Sequence, residues 1–161
     1  MWKLQTIILH WLTAVLIVGA IASIKMSSSV PIYEKSGYIL AHVVMGITVA
    51  VIVVARLYYK FKYSKTNPKS NKLATAMHHG IYAFLIVVLS LGVVGGVKAD
   101  LIPNLLQGNM NFDRNIFMGI HQNIAKLIIP ITILHTLGAF YHLFKKGDHT
   151  FARMLGINKP D

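Results

Sequence analysis

The stretch Ile120–Phe144 reads IHQNIAKLIIPITILHTLGAFYHLF, and it sets two histidines, His121 and His135, 14 residues apart in an otherwise apolar run. A hydrocarbon core about 30 Å thick is crossed by about 20 residues of helix, so this run is long enough to span it. At about 100° and 1.5 Å per residue, the spacing returns the second histidine to within about 40° of the first, about 21 Å along the axis. One helix thus offers an imidazole to each half of the membrane. Pro130 falls between the two, removes a backbone hydrogen bond and predicts a bend.

Three more runs of similar length lie upstream, at roughly Leu4–Ile24, Tyr38–Tyr59 and His79–Val97. The chain of 161 residues is 55% hydrophobic and only 13% charged, and that apolarity is gathered into the four runs. The expected fold is an all-α integral membrane protein, a bundle of four transmembrane helices forming one domain, residues 1–161. Lys3 and the triplet Ala20-Ile21-Ala22 give the first run some likeness to a signal peptide. It exceeds the usual length of a signal core and contains His10, so it reads as a span. The connections are short, with polar turns at Ser27-Ser28-Ser29 and Ser64–Lys72, and no internal repeat stands out.

Cysteine is absent, which excludes disulfides, thiolate metal sites, thiolate-held iron–sulfur clusters and thioether-linked haem. The formal charge of +11 is carried by residues that flank the apolar runs, a pattern of membrane orientation and not of a nucleic-acid partner. Lys60, Lys62, Lys65, Lys69 and Lys72 occupy the second connection, with Arg56 just inside the preceding run. Lys145, Lys146, Arg153 and Lys159 occupy the tail. Both segments, and hence both termini, are expected on the cytoplasmic side.

Ionisable side chains inside a span are costly and usually mark function, so the eight histidines call for placement by depth. His10 and His135 lie within reach of the cytoplasmic face and are expected to meet there. His42 and His121 lie near the outer face and are expected to meet there. A flat ring inserted between helices takes one neutral imidazole on each face, as six-coordinate haem requires. Gly46, one turn after His42, and Gly138, three residues after His135, would admit a porphyrin, although helix packing explains small residues equally well. For each histidine the plainer reading is a side chain bonded to a neighbouring backbone or facing water. That reading suits His78, His79 and His149, near the surface or in the tail, better than the four that match in depth.

Several pieces together resemble the bacterial cytochrome b561 family: Leu9-His10-Trp11-Leu12, His42, Arg56, His121, Leu134-His135 followed by His142, and the later Arg153-Met154. The resemblance covers nearly the whole chain and rests on order and spacing, because no single piece is specific. It implies a multi-pass protein of the bacterial inner membrane with two haems b, held by His10 and His135 and by His42 and His121. It further implies membrane electron transfer. In the best understood type of member, superoxide gives its electron to haem on the outer side and ubiquinone is reduced.

Two other readings compete with that one. The chain is alternatively a di-haem electron-relay subunit of a larger quinone-linked dehydrogenase or hydrogenase, although its short loops leave little surface for a protein partner. A metal-ion transporter is disfavoured by the scarcity of embedded carboxylates. For quinone, His142 is the expected proton-handling group on the cytoplasmic side, with Lys62 and Arg56 at the rim; Arg56 is equally suited to a haem propionate. For superoxide, an anion, the expected charges are Lys25, Lys35, Lys98, Arg114 and Lys126, with Lys98 and Lys126 foremost.

Overall fold

The structure, a computed structural model, describes residues 4–63, 72–145 and 154–155. Its helices are α1 (Leu4–Ser27), α2 (Ile32–Tyr63), α3 (Lys72–Lys98), α4 (Leu101–Leu106), α5 (Ile116–Ala125) and α6 (Ile128–Lys145), and no strand occurs among the described residues. Four stretches are long and apolar enough to cross a membrane: Leu4–Ser27, Ile32–Lys62, Thr75–Lys98 and Ile116–Tyr141. The first three predicted runs fall inside α1, α2 and α3, which continue past them, whereas the fourth, Ile120–Phe144, is divided between α5 and α6. In α2 the helix starts at Ile32 and ends at Tyr63, because polar residues such as Glu34 and Lys60 carry it beyond the apolar stretch.

Helix is the form an apolar segment takes in lipid, where each backbone N–H and C=O must be satisfied within the protein. The hydroxyls obey the same constraint by bonding back to their own helix. Thr13 donates to Leu9 O at 2.6 Å, Thr48 to Val44 O at 2.8 Å and Thr132 to Ile128 O at 2.7 Å. Side chains such as Val15, Val51 and Leu134 stand exposed on the outer faces, as suits a surface bathed in lipid.

Successive spans run antiparallel. Arg56 reaches His10 while His42 reaches Ala20, which fixes α1 against α2, and His121 reaches Val88, which fixes α5 against α3. Val49, Val53 and Leu85 form the central core, packed by Leu16, Ile17, Ile81 and Tyr82. Two glycines allow the close approaches. A Cβ on Gly19 would lie 2.8 Å from Met45 Sδ, and one on Gly95 would lie 2.8 Å from Met118 Cγ and 3.0 Å from its backbone N.

The third connection is more ordered than expected. Asp100 takes a left-handed φ of 47°, a conformation that Asp tolerates better than most residues, and turns the chain from α3 into α4. Leu101 and Leu105 of α4 then bury against Ala99, with Ile39, Val43, Phe112 and Met118 around them. Asn115 caps α5 by accepting from Met118 N at 3.2 Å and ties it to α3 by donating to Gly95 O at 2.8 Å.

The fourth span is broken at Lys126-Leu127, between α5 and α6. Pro130 has no N–H to give to the carbonyl four residues earlier, at Lys126, and its ring clashes there. It is accommodated in the first turn of α6, where N–H groups have no intrahelical partner.

Candidate functional site

The four deep histidines meet in two pairs at opposite ends of the bundle. His42 of α2 and His121 of α5 have ring centroids 6.1 Å apart, at an interplanar angle of 78°. His10 of α1 and His135 of α6 have centroids 6.2 Å apart, at 52°. Two imidazoles that share one metal through Nε2, each at about 2.0 Å, place their centroids about 6.3 Å apart. Both pairs have that separation. The interplanar angle is unconstrained, since each ring can turn about its own metal–nitrogen axis.

The His42 pair is also fixed in tautomer. His42 Nδ1 lies 2.8 Å from Ala20 O and His121 Nδ1 lies 2.9 Å from Val88 O. A carbonyl can only accept, so Nδ1 carries the hydrogen in both rings and Nε2 keeps its lone pair for a metal. Gly92 makes room for this arrangement, because a Cβ there would stand 3.0 Å from His121 Cε1 and 3.1 Å from its Nδ1. Sequence reasoning did not single out Gly92. Its role depends on a partner from another helix, which spacing alone does not reveal.

The His10 pair lies in a more crowded setting. Trp11 meets His10 edge-on at 5.6 Å and also donates its indole N–H to Met154 O at 2.9 Å, which anchors that residue of the C-terminal segment to α1. His78 of α3 approaches His135 with centroids 5.5 Å apart, too close for a metal to sit between them on a common axis. His10 therefore has the better separation for a partner of His135. Arg56 Nη2 lies 3.4 Å from His10 Nδ1.

The remaining expected residues fall in several places. Lys62 lies along Tyr58, its Nζ 3.3 Å from the phenol oxygen. His142 is on α6, but its side chain lies outside the described residues. Lys98 lies 5.3 Å over the ring of Phe117, and Lys126, at the break in the fourth span, donates to Asn123 Oδ1 at 3.2 Å, back toward the His42 end. At that end a cavity of about 430 Å³ is lined by Lys35 and Arg114 among Ile39, Phe112, Met118 and Gln122. Gln122 adjoins His121 and Ile39 is one turn from His42, so the cavity lies at this pair's end of the bundle, although neither histidine lines it. Lys35 and Arg114, not Lys98 and Lys126, are the cations that line it.

A profile of the prokaryotic cytochrome b561 family matches residues 1–156. The chain belongs to that family. Among its relatives is a protein of Yersinia pestis named probable superoxide oxidase CybB, 24% identical over 161 residues that cover 91% of each chain. A prokaryotic cytochrome b561 is a multi-pass protein of the bacterial inner membrane, binds haem b and carries electrons within the membrane.

The residues of this cytochrome b561 fit that cofactor. Each histidine pair has the separation that iron requires, and open space lies beside Gly46 and Gly138, where no atom would come within 4 Å of an added Cβ. Among the described residues no neighbouring helix comes within that distance of either glycine, as helix packing would require. Gly37, Gly80 and Gly119 also face open space, so that feature alone does not separate porphyrin from lipid.

Proposed function

We propose that this cytochrome b561 holds two haems b, one between His42 and His121 and one between His10 and His135, and uses them to oxidise superoxide and reduce ubiquinone. The carrying observation is the pair of imidazole separations, 6.1 and 6.2 Å, at opposite ends of the bundle. Bound haem supplies reversible one-electron transfer through an iron held by two imidazoles.

The chain's own residues position and gate that chemistry. Ala20 and Val88 orient His42 and His121 through their carbonyl oxygens. Lys35 and Arg114 give the cavity beside this pair a positive field, joined more weakly by Lys98 and Lys126, and such a field draws a small anion. The basic second connection and tail support an orientation with the His10 end and both termini in the cytoplasm and the cavity at the outer face. Two superoxide anions release two electrons and leave two molecules of oxygen. One ubiquinone takes those electrons with two protons from the His10 end, where His142 and Lys62 are the candidate groups. The superoxide donor is supported by the name of the Yersinia relative and by the cationic cavity.

Haem content tests the pairing. His42→Leu should leave one haem per chain with bis-imidazole optical bands, and His135→Leu should remove the other. Loss of both haems from a folded His42→Leu protein, or of neither, would refute the assignment. A wild-type protein whose haem is reduced only when a copurifying dehydrogenase is present would instead favour the relay subunit.

A further inference from the structure

Arg56 and Lys60 stand four residues apart on α2, so their side chains rise from one face of the helix toward the same neighbour. That neighbour is Tyr82 of α3. Arg56 Cζ lies 5.6 Å and Lys60 Nζ 5.1 Å from the centroid of its ring. The ring quadrupole attracts both cations, but its face offers no lone pair along the N–H directions. Arg56 Nε and Lys60 Nζ are accordingly buried without a hydrogen-bond partner among the described residues. Two like charges in such a place are unfavourable on both counts: each unmade hydrogen bond costs about 1–3 kcal/mol, and the charges repel.

The chain places no described carboxylate near them. Glu34 lies in the first turn of α2, and Asp100 and Asp113 lie in the third connection, all at the opposite end of the bundle. Among the described residues no carboxylate satisfies the two cations, and a bound molecule can supply one. Arg56 adds a chemical constraint. A guanidinium has only donors, so its contact of 3.4 Å requires the lone pair of His10 Nδ1, with the hydrogen on Nε2. Metal ligation through His10 Nε2 moves that hydrogen to Nδ1 and turns the contact into donor against donor. Ligation of His10 thus releases Arg56 Nη2 for another acceptor.

We propose that Arg56 and Lys60, set against Tyr82, form a carboxylate clamp that grips a propionate of the haem at His10 and His135. The clamp rests on the pairing proposed above and extends it to Lys60 and Tyr82. A haem brings both an iron for His10 and a carboxylate for the arginine that His10 gives up. A lipid phosphate has the anionic oxygens but no claim on His10, and for that reason it is the weaker candidate. Charge-assisted hydrogen bonds to a carboxylate are stronger than neutral ones, and a lysine and an arginine together can engage both of its oxygens.

The test uses the holoprotein carrying His42→Leu, so that the remaining chromophore is the haem of the His10 pair. Lys60→Met in this parent should speed transfer of haem to excess apomyoglobin by about tenfold or more, the loss expected for one charge-assisted hydrogen bond. It should also lower the midpoint potential, because a nearby cation favours the form that has gained an electron. Redox-difference infrared spectra with ¹³C-labelled propionates should show the carboxylate band displaced, and Lys60→Arg should restore all three readings. A parent without a bis-imidazole spectrum would overturn the pairing, and the clamp with it. A sound parent in which Lys60→Met changes none of the three would overturn the clamp alone. So would loss from Lys60→Met of a tightly bound anionic phospholipid, seen by native mass spectrometry, with the propionate band unmoved.

Discussion

Gly92→Ala is the substitution whose effect the geometry specifies most sharply. The added methyl would lie 3.0 Å from His121 Cε1 and 3.1 Å from Nδ1, so the imidazole has to yield by a few tenths of an ångström. The same Nδ1 is held at 2.9 Å to Val88 O, and a tilt that relieves the methyl strains this bond. Overpacking of this kind costs about 1–3 kcal/mol, and a lost hydrogen bond about 1 kcal/mol more. Together they amount to about 2–4 kcal/mol, or a haem held about 30-fold to 700-fold less tightly, since 1.4 kcal/mol is a factor of ten. The effect should be confined to one pair, because Gly92 is remote from His10 and His135. Haem per chain in purified Gly92→Ala protein should fall from two toward one, and the survivor should be the haem that His135→Leu removes. Gly96→Ala is the control, since its methyl would make only ordinary contact with Leu101, at 3.6 Å from Cδ2, and reach neither the imidazole nor α5. Gly92→Ala protein with two haems, unaltered optical bands and unaltered haem loss to apomyoglobin would refute the claim that Gly92 seats His121.

Gly46→Ala and Gly138→Ala meet no protein atom, so they should leave the fold intact; a fall in haem content in either would show that porphyrin, and not lipid, covers that glycine. Asn115→Ala removes the cap of α5 and its bond to Gly95 O, and should destabilise the protein by about 1–2 kcal/mol, read as a lower thermal midpoint. Neutralising Lys35 and Arg114 together should slow haem reduction by superoxide and flatten its dependence on ionic strength, because salt screens a fixed field over about 10 Å at 0.1 M. A rate that ignores both salt and these two residues would remove the cavity as the entry route.

Most of the architecture was legible in the sequence because a bilayer imposes one length and one hydrogen-bonding solution on every span. Depth along a helix is likewise a count of residues, which is how His10 and His135, or His42 and His121, can be placed at matching levels before any contact is known. What the sequence withheld depends on partners. Helix α4 has six residues and includes Pro103, so it is too short to show a period; it forms because Leu101 and Leu105 find a cluster to bury against. Lys60 reads in sequence as one more basic residue at a membrane edge, and only its approach to Tyr82 beside Arg56 distinguishes it. Lys35 and Arg114 were two of five basic residues around the outer connections until the folded chain put both on one cavity. Pro130 did announce a disturbance. The disturbance lies upstream at Lys126-Leu127 because proline disrupts the carbonyl four residues before it.

That break bears on how the protein is assembled and how long it lasts. Above it, α5 is tied to α3 by Asn115 and His121, whereas α6 below it carries no buried residue among those described. Threonines that might have bridged to a neighbour, Thr132 and Thr136, bond instead within α6. In the proposed holoprotein the lower half of the last span is then fastened through His135 by the cofactor, in addition to the packing of Ile128 against the central core. A newly inserted chain would lack the fastening at His135 until haem arrives, and a ligand that binds only the folded state stabilises it in proportion to its supply. Haem availability would thus set how firmly this chain is held together in the membrane, with the lower half of the fourth span as the part it secures.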